Sequence, residues 1–322
     1  MATAEQIKSL IRSHFDNDKE RFITISLQLA AHEASQGHSS VAHEIRGLVN
    51  KNRDTKLTIS GLDRELDDLI ISSTPKTRLT ELIVSEEILG RINRILREYY
   101  QQEKLQKHGL GNRRKLLLAG PPGTGKTMTA AILASELSLP LYTILMDKMI
   151  TRFMGETSAK MRQVFDLIQQ VKGVYLFDEF DAIGAERGRE NDVGEMRRVL
   201  NAFLQFIEQD QSGSIIVAAT NNAHILDHAL FRRFDDILHY DLPTNSEIEQ
   251  LIRNRLGEFL NRKQSLTDTV KTAEKLSPAE IAQACDDAIK ETILADEPKV
   301  TMTLLKKMLK ERKNAYQRGL RI

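Results

Sequence analysis

Gly120-Pro121-Pro122-Gly123-Thr124-Gly125-Lys126-Thr127 is the stretch that decides the architecture of this chain. It has the form G-x-x-x-x-G-K-[ST], and its setting matters as much as its letters. Lys115 to Ala119, ahead of it, carries Leu116-Leu117-Leu118 and reads as a buried strand; Met128 to Leu137, behind it, reads as a helix. A strand, a glycine-rich turn and a helix in that order point backbone N–H groups inward and place the positive end of a helix dipole beneath them, which suits phosphate. Lys126 then reaches the β and γ phosphates, and the Thr127 hydroxyl can hold Mg²⁺. Gly120, Pro121, Pro122, Gly123, Thr124, Gly125, Lys126, Thr127 and Met128 are the expected nucleotide-binding residues.

Outward from the loop, between about 113 and 242, apolar runs alternate with amphipathic stretches. Leu141-Tyr142-Thr143-Ile144, Val174-Tyr175-Leu176-Phe177 and Ile215-Ile216-Val217-Ala218 read as further buried strands. Runs of this kind belong in a parallel sheet covered on both faces. Past Pro243 the strands stop, and Asn245 to Phe259, Ala279 to Ile293 and Met302 to Tyr316 read as helices of an all-helical lid. Upstream, Leu79 to His108 reads as a short apolar segment and a long helix, and Ser72-Ser73-Thr74-Pro75 as a linker, because Pro disfavours helix in the residue before it. Ile7, Leu10, Ile11 and Phe15, then Phe22, Ile25, Leu29 and Ala30, then Val41, Ile45, Leu48 and Val49 give three apolar helical stripes. The expected organisation is a helical N-terminal domain and linker over 1–75, an α/β phosphate-loop domain over 76–243 and a helical lid over 244–322.

The Val174 to Phe177 strand ends in Asp178-Glu179. The carboxyl end of a buried strand is where α/β proteins place ligands. Asp178 is expected to bind the cofactor by holding Mg²⁺, through water, and Glu179 to polarise the attacking water as general base. Asp181 follows two residues on; helix capping explains it equally well.

In this order these residues resemble the AAA ATPase family, over roughly 76 to 317. Gly120 to Thr127 and Phe177-Asp178-Glu179 look like its Walker A and Walker B motifs, and Ala219-Thr220-Asn221 like its sensor 1 strand end, which implies that Asn221 orients the attacking water. Ala229-Leu230-Phe231-Arg232-Arg233-Phe234-Asp235 resembles the arginine-finger segment, which implies that Arg232 or Arg233 reaches the γ-phosphate in a neighbouring subunit. Here the two arginines are adjacent rather than separated by Pro-Gly, which leaves the choice between them open. Arg152-Phe153-Met154-Gly155-Glu156 resembles the first pore loop, so Phe153, Met154 and Gly155 are the expected substrate grip; Arg187 to Asp192 sits where a second such loop, or a plain solvated loop, belongs. Leu276-Ser277-Pro278-Ala279-Glu280-Ile281 sits where the AAA clade proper begins a lid helix, and Leu82-Ile83-Val84 where the family contacts adenine.

The resemblance implies an ATPase that assembles as a homo-hexamer and unfolds, remodels or translocates protein through a central pore. Some bacterial members of this build are encoded beside subtilisin-like proteases and serve in phage defence, which implies a separate protease as effector. A nucleotide-gated assembly switch that activates a partner without threading is the alternative. Composition narrows the field further. Lys plus Arg is 46 against 45 for Asp plus Glu, a net charge of +1 that gives no global pull toward nucleic acid or anionic membrane. With 5% aromatics and no Trp, base-stacking platforms are not expected. The single cysteine, Cys285, excludes an intramolecular disulfide and fits a reducing cytoplasm. No apolar stretch is long enough to span a membrane. The basic run Lys306, Lys307, Lys310, Arg312 and Lys313 reads as a solvated helix face, and the eight His residues show no metal-ligand spacing.

Overall fold

The structure, a computed structural model, describes residues 8–9, 12–13, 19–35, 41, 45, 66, 68–152, 157–183, 190–222, 231–261 and 264–319. The chain separates into two compact units, Met1–Leu62 and Asp63–Ile322. In the first, α1 (Lys19–Ser35) buries Ile25 and Ala30 on one side, as the central apolar stripe predicts. Of the other two N-terminal stripes, Ile7, Leu10, Ile11, Phe15, Leu48 and Val49 lie outside the described residues.

The second unit is built on a six-stranded sheet in the order β1-β3-β4-β5-β2-β6. Its strands are β1 (Ile70–Ser73), β2 (Lys115–Ala119), β3 (Leu141–Leu145), β4 (Val174–Asp178), β5 (Ile215–Thr220) and β6 (Asp236–His239). β2 to β6 run parallel, and β1 alone is antiparallel, paired with β3. The apolar runs put both faces of the central strands under cover. On one face Leu116, Leu118, Val174, Leu176, Ile215 and Val217 pack with Ile88, Ile92 and Ile95 of α2 (Glu86–Tyr100) and with Ala130, Leu133 and Ala134 further along the chain. On the other, Phe177 stacks on Phe165 at 5.8 Å and meets Phe203 edge-on at 5.1 Å.

After α2 and the short α3 (Gln102–Gln106), the crossovers are α4 (Lys126–Glu136), α5 (Met146–Arg152) with α6 (Thr157–Gln170), and α7 (Glu190–Gln209). The lid follows as α8 (Asn245–Leu256), α9 (Thr267–Ala273), α10 (Pro278–Leu294) and α11 (Met302–Gly319), around a core of Ile248, Ile252, Ile281, Ala284, Ala288 and Leu305. Thr244 and Ser277 open α8 and α10 as capping boxes with Glu247 and Glu280, each satisfying orphan N–H groups of a first turn. Two residues of the basic run tie α11 to the rest of the lid, Lys306 to Asp268 and Arg312 to Asp287, while Lys307 pairs with Glu311 within the helix.

Two strands differ from the sequence reading. Ser72 and Ser73, read above as linker, form the end of β1 and pair with Tyr142 and Leu141. Main-chain pairing to β3 holds this edge strand, most of which is exposed, so it needs no apolar run. β6 was not foreseen because it opens on a buried carboxylate, Asp236, whose charge is met by the Arg91 guanidinium and by the Ile237 N–H at 2.9 Å.

Candidate functional site

The strand order sets the site. β2 is flanked by β5 and β6, while the chain leaving β2 through α4 returns as β3 on the far side of β4 and β5. A ligand crevice opens at the carboxyl ends of strands where the winding reverses in this way. Gly120 to Thr127, Asp178-Glu179 and Asn221 come from the carboxyl ends of β2, β4 and β5, which are neighbours or next neighbours in the sheet. The expected nucleotide and water-activating residues are therefore brought together.

The phosphate loop is held from several sides. The Gly120 N–H donates to the Thr220 carbonyl at 3.3 Å, tying the start of the loop to the last residue of β5. Thr124 Oγ1 donates to the Pro121 carbonyl at 2.8 Å, and Thr124 is buried. Gly125 is the N-cap of α4, in left-handed conformation, and the Leu82 side chain packs against it. Ile83 turns to the lid core and Val84 to the sheet core, so 82–84 runs along the seam beside the loop. Lys126 is 7% exposed, and its Nζ donates to the Gly120 and Pro121 carbonyls at 2.7 and 2.8 Å. Its ammonium thus sits inside the curl of the loop. Burial lowers its pKa, and Asp178 and Asp181 partly restore it.

Opposite the loop, Thr127 Oγ1 donates to Asp178 Oδ2 at 2.9 Å, while Asp178 Oδ1 accepts from the Glu179 N–H at 2.9 Å. Two hard oxygen donors this close, one of them an anion, suit Mg²⁺. Glu179 is exposed at φ +52°, a left-handed conformation that costs a glutamate free energy and recurs at functional sites. Asp181, left above as a possible cap, makes a more specific contact. Its Oδ1 accepts the Asn221 N–H at 3.2 Å, joining the turn after β4 to the end of β5. No periodicity links positions 40 apart, so the sequence carried no sign of this tie.

The arginine pair lies elsewhere. Arg232 is exposed, and Arg233 donates from Nε to Glu208 Oε2 at 3.3 Å. Both precede β6, whose first residue Asp236 is level with Leu116 and whose last, His239, is level with Ala119. Asp235, next to them, accepts the Arg114 and Lys115 N–H groups at the start of β2. Hence the arginines stand at the amino end of the parallel strands and the phosphate loop at the carboxyl end of the same sheet, about 10 Å apart along β6 alone. Phe153, Met154 and Gly155, between α5 and α6, lie outside the described residues, as do Arg187 to Arg189, whereas Glu190 to Asp192, expected in a loop, open α7.

Comparison with known proteins bears on this geometry. Residues 116–242 match the family model described as "ATPase family associated with various cellular activities (AAA)". The uncharacterized AAA family ATPase y4kL of Sinorhizobium fredii is 30% identical over 303 residues, covering 91% of this chain and 90% of that protein. The chain belongs to the AAA family of ATPases. Peroxisomal ATPase PEX6 of Saccharomyces cerevisiae is 33% identical over 220 residues, which cover 64% of this AAA chain but only 21% of PEX6. The crystal structure of the FIGL-1 AAA domain superposes with a TM-score of 0.61 at 20% identity, over 82% of this chain and 97% of that one; it bears on the fold alone. As an AAA ATPase the protein binds ATP and hydrolyses it to ADP and phosphate. No helix among the described residues is long and apolar enough to cross a membrane, and no group of His, Cys, Asp or Glu among them has the makings of a metal cluster.

Proposed function

We propose that this AAA ATPase works as a ring, a homo-hexamer whose active sites lie between subunits, and that it uses ATP to unfold, remodel or translocate protein. One observation carries the shared site: Arg232 and Arg233 stand at the opposite end of the parallel strands from the phosphate loop of their own chain. An arginine placed there serves a neighbour's γ-phosphate rather than its own. Within each subunit, Gly120 to Met128 cradles the phosphates, Lys126 offsets their charge, Glu179 takes the proton of the attacking water and Asn221 orients that water. Thr127 and, through water, Asp178 would hold Mg²⁺, which when bound offsets charge on the β and γ phosphates. Phe153, Met154 and Gly155 are the residues of this reading that grip the polypeptide in a central pore. A separately encoded protease, in a phage-defence setting, is the effector this reading suggests; its helical unit ends before β1, which pairs in the ATPase sheet, rather than at 75, and the ATPase unit then runs to 243 and the lid over 244–322.

Mixing tests the shared site. Arg232→Ala and Lys126→Ala, each nearly inactive alone, are combined over a range of ratios. Hybrid interfaces pair an intact loop with an intact arginine, so ATP turnover is expected to recover well above the sum of the parts. Arginines acting in trans contribute roughly 10³–10⁵-fold in well-studied phosphoryl transfer, so even a small fraction of restored interfaces is measurable. If Arg232 is silent, Arg233→Ala takes its place in the same mixture. Absence of recovery with both arginine variants at every ratio sinks the shared-site reading.

A further inference from the structure

Tyr240 follows β6 directly, in a position where the alternation of the strand calls for an apolar side chain, and it is 2% exposed. Its main chain meets the entry of the phosphate loop. The Tyr240 N–H donates to the Ala119 carbonyl at 2.7 Å, and a Cβ built on Gly120 would lie 2.1 Å from the Tyr240 carbonyl oxygen. Gly120, at φ +152°, is thus required both by its conformation and by the Tyr240 backbone that crosses it. The Tyr240 side chain reaches the exit of the same loop: its hydroxyl lies 2.7 Å from Thr129 Oγ1, and Thr129 Oγ1 donates to the Gly125 carbonyl at 3.0 Å, alongside the Thr129 N–H at 2.8 Å. Thr129 has one hydroxyl proton and commits it to Gly125, so Tyr240 is the donor of the 2.7 Å contact. Burial holds the phenol protonated, up to about 12, so it remains a donor at any working pH. Thr129 itself is wholly buried, which keeps water from substituting for either bond.

From this we infer that Tyr240 is a positioning residue for ATP binding: it fixes both ends of the phosphate loop, Gly120 through its backbone and Gly125 through the Thr129 hydroxyl, and so presets the spacing of the N–H groups that receive phosphate. The inference rests on Gly120 to Thr127 being the phosphate loop. The relay is two hydrogen bonds long, buried at Tyr240 and Thr129 and part-buried at Gly125, and spans chain positions 111 residues apart. A loop preset in this way binds phosphate without first being ordered, so the relay acts on nucleotide affinity more than on the chemical step.

The test uses the full chain. Tyr240→Phe removes one oxygen and keeps the ring that packs in the core. ATP affinity, measured by calorimetry, is expected to weaken about threefold to tenfold, the span of one net hydrogen bond, with KM rising in step and kcat changing less. Thr129→Val breaks both bonds and is expected to weaken affinity at least as much, whereas Thr129→Ser, which keeps the hydroxyl, restores it. Tyr240→Phe combined with Thr129→Val should bind ATP no worse than Thr129→Val alone, because both act through one chain of bonds. A merely structural tyrosine predicts something else: a lower melting temperature with unchanged ATP affinity in the folded protein. That outcome overturns the inference, as does full additivity of the two variants. Lys126→Ala is run alongside. If it too binds ATP normally, the loop assignment has failed rather than the role of Tyr240.

Discussion

Gly123→Ala probes the contact between the phosphate loop and the lid with a single methyl group. Gly123 sits at φ +75°, and a Cβ there would meet Ser277 Oγ at 2.7 Å and the Ala279 Cβ at 3.1 Å. Its carbonyl also accepts the Ala279 N–H at 3.1 Å, so the first turn of α10 rests directly on the loop. Two costs follow. The left-handed conformation costs a residue with a Cβ about 1–2 kcal/mol. The contact with Ser277, part of a capping box rather than the tip of a flexible chain, adds about 1–3 kcal/mol if α10 stays in place. The expected loss is therefore about 2–5 kcal/mol in denaturant unfolding without nucleotide. ATP affinity should fall as well, because relief comes by moving the loop or lifting the lid.

A second substitution separates the two costs. Ser277→Ala on its own loses an N-cap bond to the Glu280 N–H, worth about 1 kcal/mol. In the Gly123→Ala background it also removes the atom met at 2.7 Å, so the double variant should be more stable than the sum of the singles by about 1 kcal/mol. The conformational cost at residue 123 remains in both. If the two changes add within about 0.3–0.5 kcal/mol, the limit for independent sites, then Ser277 does not bear on the loop and the reasoning fails.

Tyr142 and Tyr175 stack at 4.9 Å, but only the Tyr175 hydroxyl has a good acceptor, the Val171 carbonyl at 2.7 Å; the Tyr142 hydroxyl is buried with no hydrogen-bond partner among the described residues. Tyr175→Phe should cost about 0.5–1.5 kcal/mol and Tyr142→Phe nothing or less than nothing, the reverse ranking in chemical denaturation counting against the assignment. Cys285 is fully buried in α10, and burial pushes its thiol up to about 12. At pH 8 the folded protein should present on the order of 10³-fold less thiolate than a free cysteine, so a thiol reagent should label it slowly until the lid unfolds, and fast labelling of native protein would place it wrongly.

The parts of the fold that were legible in the sequence share a physical cause. Leu116 to Leu118, Val174 to Phe177 and Ile215 to Ala218 are buried on both faces, so every side chain must be apolar and the run announces itself. The phosphate loop was legible because backbone curvature around an anion demands glycine at particular places and a lysine at one. β1 and β6 were hidden because their stability comes from elsewhere. β1 is held by main-chain pairing with most of its side chains exposed, and β6 begins on Asp236, a charge tolerated only because Arg91 on α2 meets it.

The candidate site divides along the same line. Residues that touch ligand carry chemistry that narrows the residue type, so Lys126, Thr127, Asp178 and Glu179 stand out singly. Residues that hold those in place carry no such mark, since what they need is one polar atom aimed at one distant partner. Asp181 reaches the Asn221 N–H, and Tyr240 reaches Thr129. What distinguishes such positions is a mismatch: a polar atom where the local pattern calls for an apolar one. Tyr240 is the clearer case, a phenol at the buried end of a strand, where Phe would supply the same packing without a hydroxyl to satisfy. Burying that oxygen unpaired would cost about 1–3 kcal/mol; at residue 240 it has a partner, and the partner identifies its role. Because Thr129 Oγ1 also holds the Gly125 carbonyl, the mismatch at residue 240 points, through one intermediate atom, at the phosphate loop.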